Sequence, residues 1–426
     1  MLASLGLASS VILRVGPVEA SERRSRAAAE ALEHGARPPL GALVTLAEER
    51  RVPKQLRRWL TWGERGRSAL VPTGLIDFGL RPSVGLYLTS DGWLYRGNSL
   101  RLHLATGGVG WYRVSGSTRH RPGVTRAPAL ELHGEVERRT DPLFWGVGPR
   151  VRDVERRRDA RTLAEAHVGL RLEPGRQRRV EGWLGLRRAG FDDASGEGFV
   201  DSLAAPDGFG GDLFARVGLR GSLDSRPRGL RALPSESDVV EPAGSGVRLG
   251  ARVELAGGPR FDNALGASRG PQALVRRGVV MDASLDLVRR RVLTVRFTFD
   301  TVNPLLARGD PLPVTELATL GGQSPMRGVR PRRLLGRFAL AATLEHARRV
   351  RMWLDGIERY ALGNAFGPAL DGALLGALRQ SFGIGLRTTL GGEHRFELLL
   401  AAGTRPFDEG GEPESLHFVV GSALDL

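Results

Sequence analysis

The chain has 426 residues, with 62 Lys and Arg against 47 Asp and Glu, which gives a formal charge of +15 at neutral pH. Hydrophobic residues make up 41% of the chain, which excludes a disordered protein, and the 58 glycines follow no three-residue period, which excludes collagen. The absence of cysteine excludes disulfide scaffolds, thiolate metal sites and cysteine nucleophiles. Because no window holds about 18 uninterrupted apolar residues, no membrane-spanning helix is expected.

The basic charge does not by itself predict a nucleic-acid partner. All the basic residues except Lys54 are arginines, and they recur along the whole chain instead of forming one patch. Aromatic residues do not alternate with them, as a base-stacking surface would require. No nucleic acid is therefore expected as a partner.

The first 70 residues differ in pattern from the rest of the chain. Residues 1–20 hold an apolar stretch and the small-residue site Val18-Glu19-Ala20, which fits either an export signal or an ordinary N-terminal segment. Residues 21–70 contain short helix-forming stretches interrupted by prolines such as Pro53. This pattern predicts a small helical or irregular arm, which would be periplasmic in an outer-membrane protein.

From about residue 71 onward the hydrophobic pattern has a period of two, which is typical of strands. Leu100, Leu102 and Leu104 alternate with Arg101 and His103. The same alternation recurs around residues 130–137, 216–223, 247–255, 293–300 and 416–425. About fifteen such segments, separated by Gly, Pro, Asp and Ser, fill the remaining length. The sequence predicts an all-β fold, a single antiparallel barrel of about 16 strands over residues 71–426, with a lid-like loop at 302–334.

Alternation alone does not decide whether the apolar face meets lipid or a protein core. A soluble β protein turns its apolar faces inward, whereas an outer-membrane barrel turns them toward lipid and keeps a polar lumen. The charged faces hold both Arg and Glu, the segments are near ten residues long, and no domain linker interrupts them. These features favour a transmembrane barrel in the bacterial outer membrane. A soluble basic β protein that binds nucleic acid is the alternative.

Four short motifs occur in order along the strands. The stretch from Leu320 reads LGGQSPMRGVRPRRLLGRFALAATLEH, and Phe144–Gly148 reads FWGVG. Gly363–Phe366 reads GNAF, and Ser381–Arg387 reads SFGIGLR. Together they resemble motifs of the BamA/TamA-type outer-membrane assembly barrels, the bacterial surface antigen family.

The resemblance implies a loop that folds back into the barrel. Arg327 would be the arginine at the loop tip, Gly328 would permit its tight turn, and Glu345 would be the lumen carboxylate that holds the arginine. Gly321 and Gly322 would form the turn of the loop. The motifs on the strands themselves supply the remaining expected site residues, which are Gly363, Asn364, Phe366, Gly383, Gly385 and Arg387.

The chain also departs from the family pattern. Ala361 stands where the family usually has an aspartate, so a second anchor for the loop is missing unless Glu358 or Asp355 replaces it. Val329 stands where an aromatic residue is usual, and residues 21–70 do not match the soluble periplasmic modules of the family. These departures keep open a passive pore or structural barrel that has lost assembly activity.

The resemblance implies a function without catalysis, the insertion or translocation of polypeptides at the outer membrane. Expected partners are outer-membrane lipids, client polypeptides and a separate protein that carries periplasmic modules. The eight histidines show no metal-ligand spacing, and no catalytic motif is present. The sequence therefore predicts no enzyme activity, no cofactor and no metal.

Overall fold

The structure is a computed structural model that describes most of the chain after residue 60. The described residues are 61–62, 67–77, 81–123, 127–151, 156–175, 177–193, 208–226, 245–261, 268–287, 291–306, 311–322, 325–351, 354–388 and 396–422. The chain divides into two compact units, Met1–Trp62 and Gly63–Leu426. The predicted signal segment, and the predicted arm up to residue 60, lie outside the described residues.

The second unit is an antiparallel barrel of sixteen strands, as predicted. In chain order the strands are β1 Ser68–Asp77, β2 Ser83–Asp91, β3 Asn98–Thr106, β4 Tyr112–His120, β5 Ala129–Arg139, β6 Arg157–Gly175, β7 Arg178–Asp193, β8 Asp212–Asp224, β9 Gly246–Phe261, β10 Ser268–Leu287, β11 Arg291–Leu306, β12 Phe338–Arg351, β13 Leu354–Phe366, β14 Arg379–Thr388, β15 Phe396–Thr404 and β16 Pro413–Ser422. Each strand pairs with the next in sequence, and β1 pairs with β16 to close the ring.

The described helical structure consists of short 3₁₀ turns at Pro368–Leu370, Leu375–Ala377 and Phe407–Glu409. Among the residues that the structure describes, no helix combines the length and apolarity needed to cross a bilayer.

The two faces of the strands point as the alternation predicted. Leu102 and Leu104 are 38% and 53% exposed on the outside, whereas His103 between them is 4% exposed. On the inner face, Arg171 contacts Glu131 at 2.8 Å and Glu181 at 3.2 Å across neighbouring strands. The outside of the barrel is therefore apolar, and the inside carries paired charges of both signs, the reverse of a soluble β protein.

The lid-like loop begins later than the sequence predicted. Strand β11 continues to Leu306, because Asn303 and Pro304 still pair with β10. The pairing of β11 with β12 ends at Thr301, so the missing N–H of Pro304 does not interrupt that ladder. Residues 307–337 then connect β11 to β12, and this segment is called the lid below.

Candidate functional site

The lid folds back into the lumen and packs there as a small core. Its short strands Ala318–Leu320 and Leu334–Gly336 pair in antiparallel fashion. Met326 and Leu334 of the lid are fully buried, and they belong to one apolar cluster with wall residues such as Phe214. The lid therefore fills part of the lumen with well-packed side chains.

Gly321 and Gly322 form the turn that follows the first short strand of the lid. Their φ angles are +100° and +87°, a region that residues with a side chain rarely adopt. The Gly322 N–H donates to the Val329 carbonyl at 2.7 Å, which fastens the turn to the tip of the lid. Glycine is required at both positions by the backbone.

Arg327 lies at the lid tip and enters a buried ion network on the wall. Its guanidinium pairs with Glu397 of β15, which also accepts from Arg387 of β14 at 3.1 Å. Arg387 in turn pairs with Glu345 of β12 at 3.1 Å, and Glu345 also pairs with Arg359 of β13. Burial lowers the pKa of Arg327 to about 10, so the group remains charged at neutral pH. We call these five residues the arginine lock.

The partner of Arg327 differs from the expectation. Glu345 was expected to hold Arg327, but Glu397 does so, and Glu345 pairs with Arg387, which also binds Glu397. The reason is the position of the lid tip. Gly328 contacts Ser381 of β14 and Ala402 of β15, so Arg327 lies next to these strands and not next to β12, which carries Glu345. Of the expected substitutes for the aspartate missing at position 361, Glu358 pairs with His346 on the outer face, and Asp355 pairs with Arg349 and lies opposite Arg387 in the β13–β14 ladder.

Gly328 seats the tip directly on the barrel backbone. Its N–H donates to Ser381 Oγ at 2.7 Å, and its carbonyl accepts from Ser415 Oγ at 2.5 Å. A Cβ at Gly328 would overlap the carbonyl of Ala402, and a Cβ at Gly403 would overlap Gly328 itself. The close approach of two backbones explains why glycine is needed here.

The strand motifs surround this seat. Gly383 and Gly385 share the inner face of β14 with Arg387, opposite Ala401 and Leu399 of β15. A Cβ at Gly385 would overlap the backbone of Leu398. The two glycines thus allow β14 and β15 to pack closely beneath the lock.

The remaining motifs meet at the opposite end of the lid. Gly363 lies in β13 opposite Ala341, Asn364 donates to the Pro149 carbonyl at 2.9 Å, and the Phe366 carbonyl accepts from the Arg337 N–H at 2.8 Å. The lid is therefore fastened to β13 where the chain enters β12.

The FWGVG loop covers this end of the lid. The Gly148 N–H donates to the Leu335 carbonyl at 2.8 Å, and Trp145, 2% exposed, stacks on the Arg333 guanidinium at 5.1 Å. Arg333 also pairs with Glu414 of β16 at 2.6 Å. Motifs separated by more than two hundred positions thus form one contact region around the lid.

A second anchor holds the lid on the other side of the lumen. Glu316 of the lid is fully buried and pairs with Arg187 of β7 and Arg216 of β8, both at 2.7 Å, and with Arg276 of β10 at 3.3 Å. Burial alone would raise the pKa of Glu316, but these three arginines together lower it below its usual value. We call these four residues the glutamate lock.

Sequence reasoning missed the glutamate lock. Glu316 lies in the stretch Leu312–Leu320, which has no strand period and few charges. An isolated acid among apolar residues, opposite a wall rich in arginines, was the available signal. Its partners lie on three strands, so only the register of the barrel identifies them.

Comparison with known proteins supports the fold. No protein-family model and no curated protein sequence matches this chain. Among solved structures, Haemophilus ducreyi BamA lacking POTRA domains 1–3 aligns with a TM-score of 0.54 and 15% identity, over 84% of this chain and 70% of that chain. CdiB from Escherichia coli aligns with a TM-score of 0.51 and 13% identity, over 85% of this chain and 64% of CdiB. CdiB from Acinetobacter baumannii aligns with a TM-score of 0.50 and 10% identity, over 84% and 60%.

The strand topology and these likenesses define a class. The chain forms a sixteen-stranded barrel of the kind found in bacterial outer-membrane proteins, with a lid held inside the lumen. It spans less than two thirds of the CdiB chains, and the low identities show the fold alone.

Proposed function

We propose that this chain is a bacterial outer-membrane barrel that inserts or translocates polypeptides. The observation that carries the proposal is the seam between β1 and β16. Within the residues that the structure describes, which stop at Asp77 in β1 and resume at residue 81, these strands pair over four residues, Gly74–Asp77 with His417–Val420. By contrast, β1 pairs with β2 over eight residues, and β15 pairs with β16 over nine.

The sequence of β1 offers a reason for the short seam. On its N-terminal side the seam pairing ends at Gly74, and Pro72 lies two residues before Gly74 in the same strand. Proline has no N–H to donate and is found at strand edges. Backbone groups left unpaired in lipid cost several kcal/mol each, so an open seam would favour pairing with another strand. An unfolded barrel protein supplies such a strand by β-augmentation.

The lid argues against a passive open pore. The arginine lock joins it to β14 and β15, and the glutamate lock joins it to β7, β8 and β10. Passage of a polypeptide through the lumen would require at least one lock to open. Insertion through the seam would leave the lid in place, which makes insertion the simpler of the two activities.

The outer surface supports the proposed localisation in the bacterial outer membrane. Leu184, Leu186 and Ile384 are about 60% exposed and face away from the lumen. Exposed apolar side chains of this kind are stabilised by lipid and would favour aggregation in water. This surface supports outer-membrane lipids as a partner. Client polypeptides and a separate protein that carries periplasmic modules are further proposed partners, which rest on the proposed function.

Reconstitution tests the proposal directly. The purified protein is placed in lipid vesicles, and the folding of an added, urea-unfolded outer-membrane barrel is followed by the gel shift between its folded and unfolded forms. Faster folding than in empty vesicles is expected. A rate equal to that of empty vesicles would contradict insertion activity, and the passive pore or structural barrel would then be preferred according to its conductance in a planar bilayer.

A further inference from the structure

Four titratable side chains form a square on the lumen wall where β5 pairs with β6. The register places His133 opposite His167, and Glu135 opposite Glu165. Residues two apart on a strand share a face, so all four belong to the same side of the sheet. Neither lock uses any of them.

The geometry of this square suits a metal ion. The imidazole rings of His133 and His167 are stacked with centroids 4.7 Å apart, and His133 Nε2 lies 3.8 Å from Glu165 Oε1. One potential ligand atom from each of His133, Glu165 and His167 lies within 4.8 Å of the other two. Small rotations of these side chains would place each of the three ligand atoms about 2.0–2.2 Å from a shared zinc ion.

Charge in the square also favours a bound cation. Carboxylates directly opposite each other on paired strands repel. Arg113 pairs with Glu135 at 3.0 Å. Glu165 makes a longer contact, 3.8 Å, with His133, and it also interacts electrostatically with Arg216. A divalent ion would bond both imidazoles and the Glu165 carboxylate, which otherwise faces Arg187 across the next ladder.

The square is accessible to ions from water. The side chains of His133 and Glu165 are 26% and 31% exposed, in contrast with the fully buried carboxylate of Glu316. The ligands stand on paired strands, which hold their backbones rigidly. An ion can therefore enter without unfolding the barrel.

We propose that His133, His167 and Glu165 form a binding site for a divalent transition metal, with zinc as the expected ion. Imidazole nitrogens select zinc, copper and nickel over calcium and magnesium, which prefer oxygen ligands. Glu135 lies beside the site and supports it by charge.

The site also adjoins an anchor of the lid. Glu165 lies opposite Arg187 across the β6–β7 ladder, and Arg187 forms an ion pair with Glu316 of the lid. Metal binding would draw Glu165 toward the imidazoles, away from the arginines of the glutamate lock. The site does not depend on the proposed insertion activity, so each can fail without the other.

Titration calorimetry with zinc chloride tests the proposal. The full chain is purified in detergent with an affinity tag that contains no histidine, and copper(II) is added to a second sample for electron paramagnetic resonance. Zinc binding at one ion per chain is expected, with nitrogen couplings from two imidazoles in the copper spectrum. The absence of saturable binding, or a spectrum with a single nitrogen, would overturn the site.

Variants separate this site from other histidines. His133→Ala and His167→Ala are each expected to weaken zinc binding by about tenfold or more, and Glu165→Gln to weaken it less. His346→Ala is the matched control, because His346 also contacts a glutamate, at 3.2 Å, but on the outer face. Wild-type affinity in His133→Ala, in a sample whose gel shift shows a folded barrel, would contradict the assignment.

Discussion

Arg327 of the lid and Glu397 of β15 form a buried ion pair although they lie 70 positions apart in sequence. Glu397 also binds Arg387, which binds Glu345, so one arginine at the lid tip is held by a chain of alternating charges. Buried charges of this kind are stable only when every member has a partner. Removal of a single member should therefore affect the whole arrangement.

Arg327→Ala is expected to loosen the lid tip. Glu397 keeps Arg387 as a partner, so the loss should be moderate, about 1–3 kcal/mol of stability. The measurement is the temperature at which the folded band disappears on a gel, together with protease cleavage within residues 307–337. Arg405→Ala is the control, because Arg405 and Glu412 form an exposed pair at 3.4 Å. Equal behaviour of the two variants would argue against the arginine lock.

Glu316→Gln is expected to cost more than Arg327→Ala. The substitution removes the buried carboxylate that Arg187, Arg216 and Arg276 share. Arg216 and Arg276 keep Glu254 as a partner, but Arg187 loses the carboxylate it pairs with, and breaking a buried ion pair costs about 3–5 kcal/mol. The same gel assay measures the effect, with the exposed Glu412→Gln as control. A melting temperature for Glu316→Gln above that of Arg327→Ala would contradict this ranking.

The lid should also loosen in acid. The pKa of Glu316 lies below its ordinary value of 4.5, because Arg187, Arg216 and Arg276 outweigh the effect of burial. Its contribution to stability is therefore complete above about pH 4.5 and is lost as the pH falls through the lower, folded-state pKa. Protease sensitivity of the lid, measured from pH 7 down to pH 3, should rise in the wild type and change less in Glu316→Gln. Parallel pH profiles would contradict the role of this group.

Gly328→Ala should unseat the tip without changing any charge. The new Cβ would overlap the Ala402 carbonyl, and the hydrogen bonds to Ser381 and Ser415 would be strained. A loss of about 1–3 kcal/mol is expected. Gly190→Ala is a suitable control, since a Cβ there meets no atom within 4 Å. Wild-type protease resistance of the lid in Gly328→Ala would mean that the tip seats elsewhere.

The sequence was sufficient for the fold because a period of two records which face each residue occupies. The Leu102–His103–Leu104 alternation identified the lipid side and the lumen side correctly. It was not sufficient for the lock, where Glu345 was expected and Glu397 holds Arg327, since both are buried carboxylates on the lumen wall. That choice depends on where the lid tip lands, which strand periodicity does not record.

Cross-strand neighbours were missed for a similar reason. His133 and His167 have no ligand spacing in sequence and become adjacent only through the β5–β6 register. Register depends on the hairpin length and the bulges of each strand pair. A shift of one residue would turn every side chain to the other face. Pattern analysis of one sequence locates strands well and contacts between strands poorly.

The β1–β16 seam is proposed to open and admit a client strand, and a reversible crosslink tests this opening most directly. The chain has no cysteine, so Ile76→Cys with Phe418→Cys introduces a single disulfide between register partners of the seam. Leu86→Cys with Leu104→Cys provides the matched crosslink between β2 and β3. In vesicles, the oxidised seam variant should lose the acceleration of client folding and regain it with reductant, while the control remains active. Full activity of the oxidised seam variant would contradict the claim.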